Sequence, residues 1–208
     1  MGQVKAVIYD IGQVLIEWNP ERFYDAAIGV YRRKALFAAV DLYGVNDQVD
    51  RGASFRDSFY ALADRHPEYG DEIRMWHDRW LDMASPEIPW SVRLLRTIRA
   101  KGVPVFALSN FGIEPFETAM LHYPFFNEFD QKYVSGYLRM MKPDNDIYAA
   151  LEAGCGLPPE TLLFTDDRPE NIQTAAKRGW GAHLFEGPEG WARALVDHGV
   201  LSEQEAGL

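Results

Sequence analysis

Apolar residues gather in three near-continuous runs, each closed by polar residues. Residues 4–9 (VKAVIY) run into Asp10, residues 103–108 (VPVFAL) into Ser109 and Asn110, and residues 161–165 (TLLFT) into Asp166 and Asp167. A strand with one face in water alternates apolar and polar side chains, whereas a strand covered on both faces does not. The runs therefore predict parallel strands buried from both sides. Residues 182–185 (AHLF) give a fourth candidate strand, and residues 129–134 a weaker fifth.

Between these runs the apolar period lengthens to that of a helix. Residues 89–100 open on Pro89, carry Val92, Leu94, Leu95 and Ile98, and stop at Lys101-Gly102. Residues 144–154 set Ile147, Tyr148 and Leu151 on one face, and residues 169–178 carry Ile172, Ala175 and Ala176 before Gly179. Strand and helix in alternation predict an α/β fold, a doubly wound parallel sheet of Rossmann-like type. Ligands of such sheets gather at the carboxyl ends of the strands, where the polar residues above fall.

The stretch from residue 18 to residue 85 breaks this rhythm. It offers no convincing strand but has amphipathic helical patterns at 21–27, 55–65 and 71–83, the last with Trp76 and Trp80 four apart. We read it as a small all-helical cap inserted after the first strand. The division is then an α/β core at residues 1–16 and 87–208 and a cap at residues 17–86. Trp18, Asn19, Phe23 and residues 51–55 are its candidate substrate contacts, each more simply read as core or turn. Trp76 and Trp80 read as cap core, and residues 202–208 as a frayed tail.

Composition narrows the function. With 208 residues, a formal net charge of −10 and a pI near 4.9, the chain repels nucleic acid and anionic membrane surfaces at long range. A small phosphorylated substrate stays open, because a bound cation reverses the local sign. One cysteine, Cys155, excludes an internal disulfide and suits a reducing, cytoplasmic setting. The apolar start is cut by Asp10 and does not read as a secretory signal. Gly2 does not read as a lipidation site, since Ala6 stands where that motif has Ser or Thr. The five histidines are scattered without ligand spacing, which argues against zinc.

Four segments carry the chemistry: Asp10-Ile-Gly-Gln-Val-Leu, Leu-Ser109-Asn110, Met-Lys142-Pro143, and Phe-Thr-Asp166-Asp167-Arg-Pro-Glu-Asn171. In kind, order and spacing they resemble the motifs of the haloacid dehalogenase-like hydrolases, in the subgroup with a helical cap, and the match spans essentially the whole chain. The resemblance implies that Asp10 is the nucleophile and a metal ligand and that Gly12 offers its backbone carbonyl to the metal. It implies that Ser109 and the Asn110 backbone N–H hold phosphoryl oxygens and that Lys142 pairs with Asp10 and the phosphate. Asp167 would then bind Mg²⁺ directly, with Asp166 beside it in support and Asn171 behind both.

Elementary electrostatics points the same way. Carboxylates converging at strand ends repel by on the order of 4 kcal/mol per pair at 4 Å and an effective dielectric of 20. A hard cation with oxygen ligands, together with the Lys142 ammonium, offsets that repulsion and would equally neutralise a phosphoryl group.

One position departs from the family pattern. Most of its phosphatases place a second Asp two residues after the nucleophile, as general acid; here Gly12 stands there. The arrangement Asp-x-Gly-x-Val is similar to that of bacterial glucose-1-phosphate phosphatases. The expected activity is Mg²⁺-dependent hydrolysis of small, sugar phosphate-like monoesters. Two alternatives are 2-haloacid dehalogenation on the same scaffold, which needs no metal, and a non-catalytic binding or regulatory role.

Overall fold

The computed structural model describes residues 3–208, so Gly2 lies outside the described residues. Its centre is a five-stranded, all-parallel sheet in the order β3-β2-β1-β4-β5. The strands are β1 (Ala6–Tyr9), β2 (Val105–Ser109), β3 (Gln131–Val134), β4 (Leu162–Asp166) and β5 (Gly181–Leu184). All five expected strands are present, shifted by a few residues at their ends.

The chain winds from β1 outward through β2 to β3, then returns to the other side of β1 for β4 and β5. The order thus reverses between β1 and β4, and the crevice beyond their carboxyl ends is where such sheets bind ligands.

Both sheet faces are covered, which explains the unbroken apolar runs. Val7, Tyr9, Val105, Ala107 and Leu163 point into one apolar cluster, while Ala6, Ile8, Phe106, Leu108, Leu162 and Phe164 point into the other.

The insert after β1 carries α1 (Pro20–Ile28), α2 (Val30–Ala39), α3 (Leu42–Asp50), α4 (Phe55–Arg65), α5 (Gly70–Asp78) and α6 (Trp80–Met83). They are followed by α7 (Pro89–Ala100), α8 (Ile113–His122), α9 (Ser135–Leu138), α10 (Asn145–Cys155), α11 (Pro169–Lys177), α12 (Pro188–Asp197) and α13 (Glu203–Ala206). Helices α10 and α11 supply Ile147, Tyr148, Leu151 and Ala175 to the second cluster. Helices α7 and α12 supply Val92, Leu95, Trp191 and Leu195 to the first, which continues into the β1–β2 insert through Phe59 and Trp76. No helix among the described residues is long and apolar enough to cross a membrane.

The insert differs from its sequence reading in two places. The helix expected over residues 71–83 is broken at Arg79, whose φ of −121° and ψ of 25° leave the helical region. The break separates the two tryptophans. Both remain buried in the core as expected, Trp76 fully and stacked on Phe59 at 5.5 Å, while Trp80 also lines a cavity. Second, α3 was not legible as a helix because Gly44, Asn46 and Asp47 weaken its propensity. It forms because Asp41 caps it, accepting from the Gly44 N–H at 2.9 Å, and because Leu42, Val45 and Val49 bury one face.

The last residues also correct an expectation. Residues 202–208 are not frayed: Ser202 and Glu205 form a reciprocal capping box for α13. Ala206 is buried, and its carbonyl accepts from Trp90 Nε1 at 3.0 Å and Arg93 Nη2 at 2.9 Å.

Candidate active site

The residues singled out in the sequence converge at the carboxyl edge of the sheet. Asp10 follows β1, and its N–H donates to the Thr165 carbonyl at 3.0 Å, so the backbone of β4 fixes its place. The chain then folds back tightly. Ile11 offers its carbonyl to the N–H groups of Leu15 (2.8 Å) and Ile16 (3.2 Å), with Gln13 in the left-handed region at φ 58°. Ser109 closes β2, Asp166 closes β4, and Lys142 reaches in from the loop before α10.

Three donors meet on one oxygen of Asp10. Oδ1 accepts from the Ile11 N–H at 2.7 Å and from Ser109 Oγ at 2.7 Å, and Lys142 Nζ lies 3.0 Å away. Among the described residues no hydrogen bond engages Oδ2. Lys142 is 3% exposed and also donates to Asp166 Oδ2 at 2.6 Å. Both oxygens of Asp166 are committed: Oδ1 accepts from the Arg168 N–H at 2.8 Å, and Asn171 Nδ2 lies 2.9 and 3.0 Å from the two. Asp167 is half-buried and turned into the cavity.

Each carboxylate of this group offers an oxygen within 4.8 Å of the other two. A single ammonium faces these three carboxylates. Burial pushes Asp10 up to about 7; Lys142 opposes the rise, while Asp166 and Asp167 add to it. Asp167 is raised for the same leading reason. Burial alone would lower Lys142, but Asp10 and Asp166 hold its ammonium above the ordinary value.

Two expected residues behave differently in detail. Asn110 uses its side chain to clamp the Lys142 backbone: Nδ2 donates to the Lys142 carbonyl at 2.9 Å, and Oδ1 accepts its N–H at 2.8 Å. Asn171 hydrogen-bonds Asp166 alone of the two aspartates, and its own Oδ1 is buried with no partner. The clamping role left no signature in the sequence, since a Ser-Asn pair after a strand looks the same whatever the amide holds.

The cavity above this edge measures about 470 Å³. Its sheet side presents Asp10, Gly12, Ser109, Asn110, Lys142, Asp167 and Asn171. Its other side comes from the insert: Trp18, Asn19, Glu21, Tyr43, Asn46, Asp47, Asp50 and Trp80. Trp18 and Asn19 are thus where the sequence placed them. Phe23 is buried in the insert core and residues 51–55 do not line the cavity. The sequence reading missed Tyr43, Asn46, Asp47 and Asp50, all on α3. The signal available was Asp41 as a cap followed by apolar residues at 42, 45 and 49, which would have turned these polar side chains to one face.

Comparison with known proteins agrees with this geometry. The family model described as haloacid dehalogenase-like hydrolase matches residues 4–179. The sesquiterpene phosphatase astK of Aspergillus oryzae is 27% identical over 183 residues, covering 86% of this chain and 89% of that protein. The drimenol cyclase drtB of Aspergillus calidoustus is 26% identical over 201 residues, 93% of this chain but 36% of that longer protein. Among solved structures, the HAD family enzyme bt-2542 of Bacteroides thetaiotaomicron, in complex with magnesium and inorganic phosphate, superposes with a TM-score of 0.72. It shares 22% identity over 92% of this chain and 99% of its own, a likeness of fold. With its five-stranded sheet and a family match over most of its length, the chain belongs to the haloacid dehalogenase-like hydrolases.

Proposed function

We propose that the protein is a Mg²⁺-dependent phosphatase of small phosphomonoesters that works through a phosphoryl-aspartate at Asp10. The observation that carries this reading is the state of Asp10. Ser109, Lys142 and the Ile11 N–H hold one carboxylate oxygen, so the other is positioned to attack phosphorus.

The donor set fits a hard divalent ion. Asp10 and Asp167 would bind it through carboxylate oxygens and Gly12 through its carbonyl, and the unpartnered Asn171 Oδ1 is an acceptor suited to a water of that ion. When bound, the ion supplies positive charge against the phosphoryl oxygens and the crowded carboxylates. Asp166, saturated by Lys142, Arg168 and Asn171, positions the lysine and does not face the cavity. Ser109 and the Asn110 N–H would hold the remaining phosphoryl oxygens.

The insert, residues 17–86, acts in this reading as a cap that selects the leaving group. Its side of the cavity joins Trp18, Tyr43 and Trp80 to Glu21, Asp47 and Asp50. Aromatic faces with hydrogen-bonding carboxyls suit a neutral, hydroxylated leaving group such as a sugar, and the acids disfavour a second phosphate. The apolar residues Ile16, Phe111 and Met141 extend the candidates to terpenyl-type esters, in keeping with the phosphatase relative. The free Cys155 accords with a cytoplasmic site of action.

A phosphate-release screen over sugar, terpenyl, acyl and aryl phosphates with Mg²⁺, using Asp10→Asn as the blank, tests the reading. Release by the wild type alone supports it; equal release from both removes it. EDTA-resistant chloride release from 2-haloacids would instead favour dehalogenation, for which the clustered aspartates have no evident use.

A further inference from the structure

The fold leaves one chemical need unmet on the sheet side. Cleaving a phosphate monoester with an alkoxide leaving group requires a proton at the bridging oxygen, and Gly12 cannot give one. Sterics do not explain the glycine. A Cβ there would meet nothing nearer than Trp18 Cβ at 4.0 Å, and Gly12 is not among the positive-φ glycines. That open space is on the way from the sheet edge to the insert.

Three carboxyls face the cavity from the insert, and their surroundings separate them. Glu21 is exposed and paired with Arg33 at 3.0 Å, and Asp47 is exposed. Asp50, the last residue of α3, is half-buried and held at several points. Its Oδ2 accepts from Asn46 Nδ2 at 2.9 Å, and Asn46 is fixed in turn by Trp76 Nε1 at 3.0 Å. Its backbone carbonyl accepts from Ser135 Oγ at 2.6 Å, and the same Oγ accepts the Phe111 N–H at 2.8 Å. Ser135 therefore pegs the end of α3 to the loop after β2, two residues from Ser109. Asp50 is mounted on the insert but registered against the core.

Resting on the phosphatase reading above, we propose that Asp50 is the general acid and base of the reaction, in the role that Gly12 vacates. As Asp10 Oδ2 forms its bond to phosphorus, the bond from phosphorus to the leaving oxygen breaks and its electron pair stays on that oxygen. The Asp50 carboxyl gives its proton there, and the neutral alcohol departs. In the second step water attacks phosphorus and yields its proton to the Asp50 carboxylate. The bond from phosphorus to Asp10 breaks with its electron pair returning to Asp10, which releases hydrogenphosphate and restores both residues.

The electrostatic surroundings suit that duty. Burial pushes Asp50 up to about 7, with Asp47 one turn earlier on α3 and Asp10 across the cavity adding to the rise. The Gly112 N–H and Arg168, which face the same carboxyl, pull the other way. Of the helices packed on α3, α9 carries no charged residue, and Arg56 and Asp57 at the start of α4 are exposed. Asp50 is thus a carboxyl that is protonated in part at neutral pH, as a general acid must be.

The test is a leaving-group series with Mg²⁺, from 4-nitrophenyl phosphate through phenyl phosphate to an alkyl phosphate, on wild type, Asp50→Asn and Asp10→Asn. Asp50→Asn is expected to lower kcat on the alkyl ester by about 10²–10⁴-fold and far less on 4-nitrophenyl phosphate, whose leaving group needs no proton. On the wild type alone, kcat for the alkyl ester should fall at alkaline pH while that for 4-nitrophenyl phosphate stays level, a readout independent of how the variant folds. A uniform loss across the series, a change confined to KM, or no change would overturn the assignment to Asp50 while leaving the Asp10 reading intact. No turnover of any ester by the wild type, or turnover retained in Asp10→Asn, would overturn both.

Discussion

On the sheet side of the cavity, Asp10 and Asp166 share the Lys142 ammonium at 3.0 and 2.6 Å, and Ser109, the Asn171 amide and backbone N–H groups complete their partners. On the insert side, Asp47 and Asp50 have no ion pair among the described residues, and Asp50 leans on a neutral amide, Asn46. The same residue type is therefore prepared for different chemistry. Burial raises both Asp10 and Asp50 to about 7, but their partners differ: Asp10 has an ammonium and two neighbouring carboxylates that suit a cation, while Asp50 has a neutral amide. In the proposed reading, nucleophile and acid would sit on two different parts of the chain, Asp10 after β1 and Asp50 at the end of α3.

The largest expected effect lies on the sheet side. Asp10→Asn should reduce phosphate release by more than about 10⁴-fold, as loss of a covalent nucleophile does. Its melting temperature without Mg²⁺ should be no lower than that of the wild type, because the amide removes a buried charge and keeps the Oδ1 acceptor. A drop of several degrees would mean that the Asp10 charge supports the fold.

Next is the shared ammonium. Lys142→Met leaves Asp10 and Asp166 buried without their cation, and chemical denaturation should show a loss of about 3–5 kcal/mol. Unchanged stability would mean that the ion pairs are not formed.

Proton and metal should compete for the same carboxylates. Asp10 and Asp50 both titrate near 7 in the folded chain, against 3.8 as the ordinary value. Between these limits the folded state holds protons that the unfolded state has lost, so these two residues make stability fall as pH rises from about 4 to about 7. Mg²⁺ opposes the part due to Asp10, so it should raise the melting temperature more at pH 8 than at pH 5. An equal gain at both would separate the metal from Asp10.

The smallest effect tests the joint between the two sides. Ser135→Ala removes the peg linking the Asp50 carbonyl to the Phe111 N–H and leaves buried groups unsatisfied. It should cost about 1–3 kcal/mol by denaturation and lower kcat on alkyl more than on aryl phosphates. Equal losses on both ester classes would show that the peg does not position Asp50.

The same division explains what was legible in the sequence. Strands buried on both faces announce themselves as unbroken apolar runs, so β1, β2 and β4 could be read directly, and with them the placing of Asp10, Ser109, Asp166 and Asp167 on one edge. The convergence of Lys142 followed from the motif set. The insert was legible only as helical. Its cavity-facing residues depend on where each short helix begins, on a break at Arg79 that turns Trp80 away from Trp76, and on a capped α3 whose Gly44 and Asn46 obscure it. The cap and apolar spacing of α3 could have placed Asp50 on its polar face, but nothing in the sequence marks what surrounds it. Its environment is assembled by Asn46, Ser135 and Gly112, which lie 4, 85 and 62 positions away in the chain.

The central claim is covalent transfer to Asp10, and rapid acid quench during turnover of a good ester, followed by peptide mass spectrometry, addresses it directly. A phosphoryl adduct on the peptide that carries Asp10, formed with Mg²⁺ and absent with EDTA, is the predicted result. Steady phosphate release with no such adduct, and undiminished in Asp10→Asn, would contradict it.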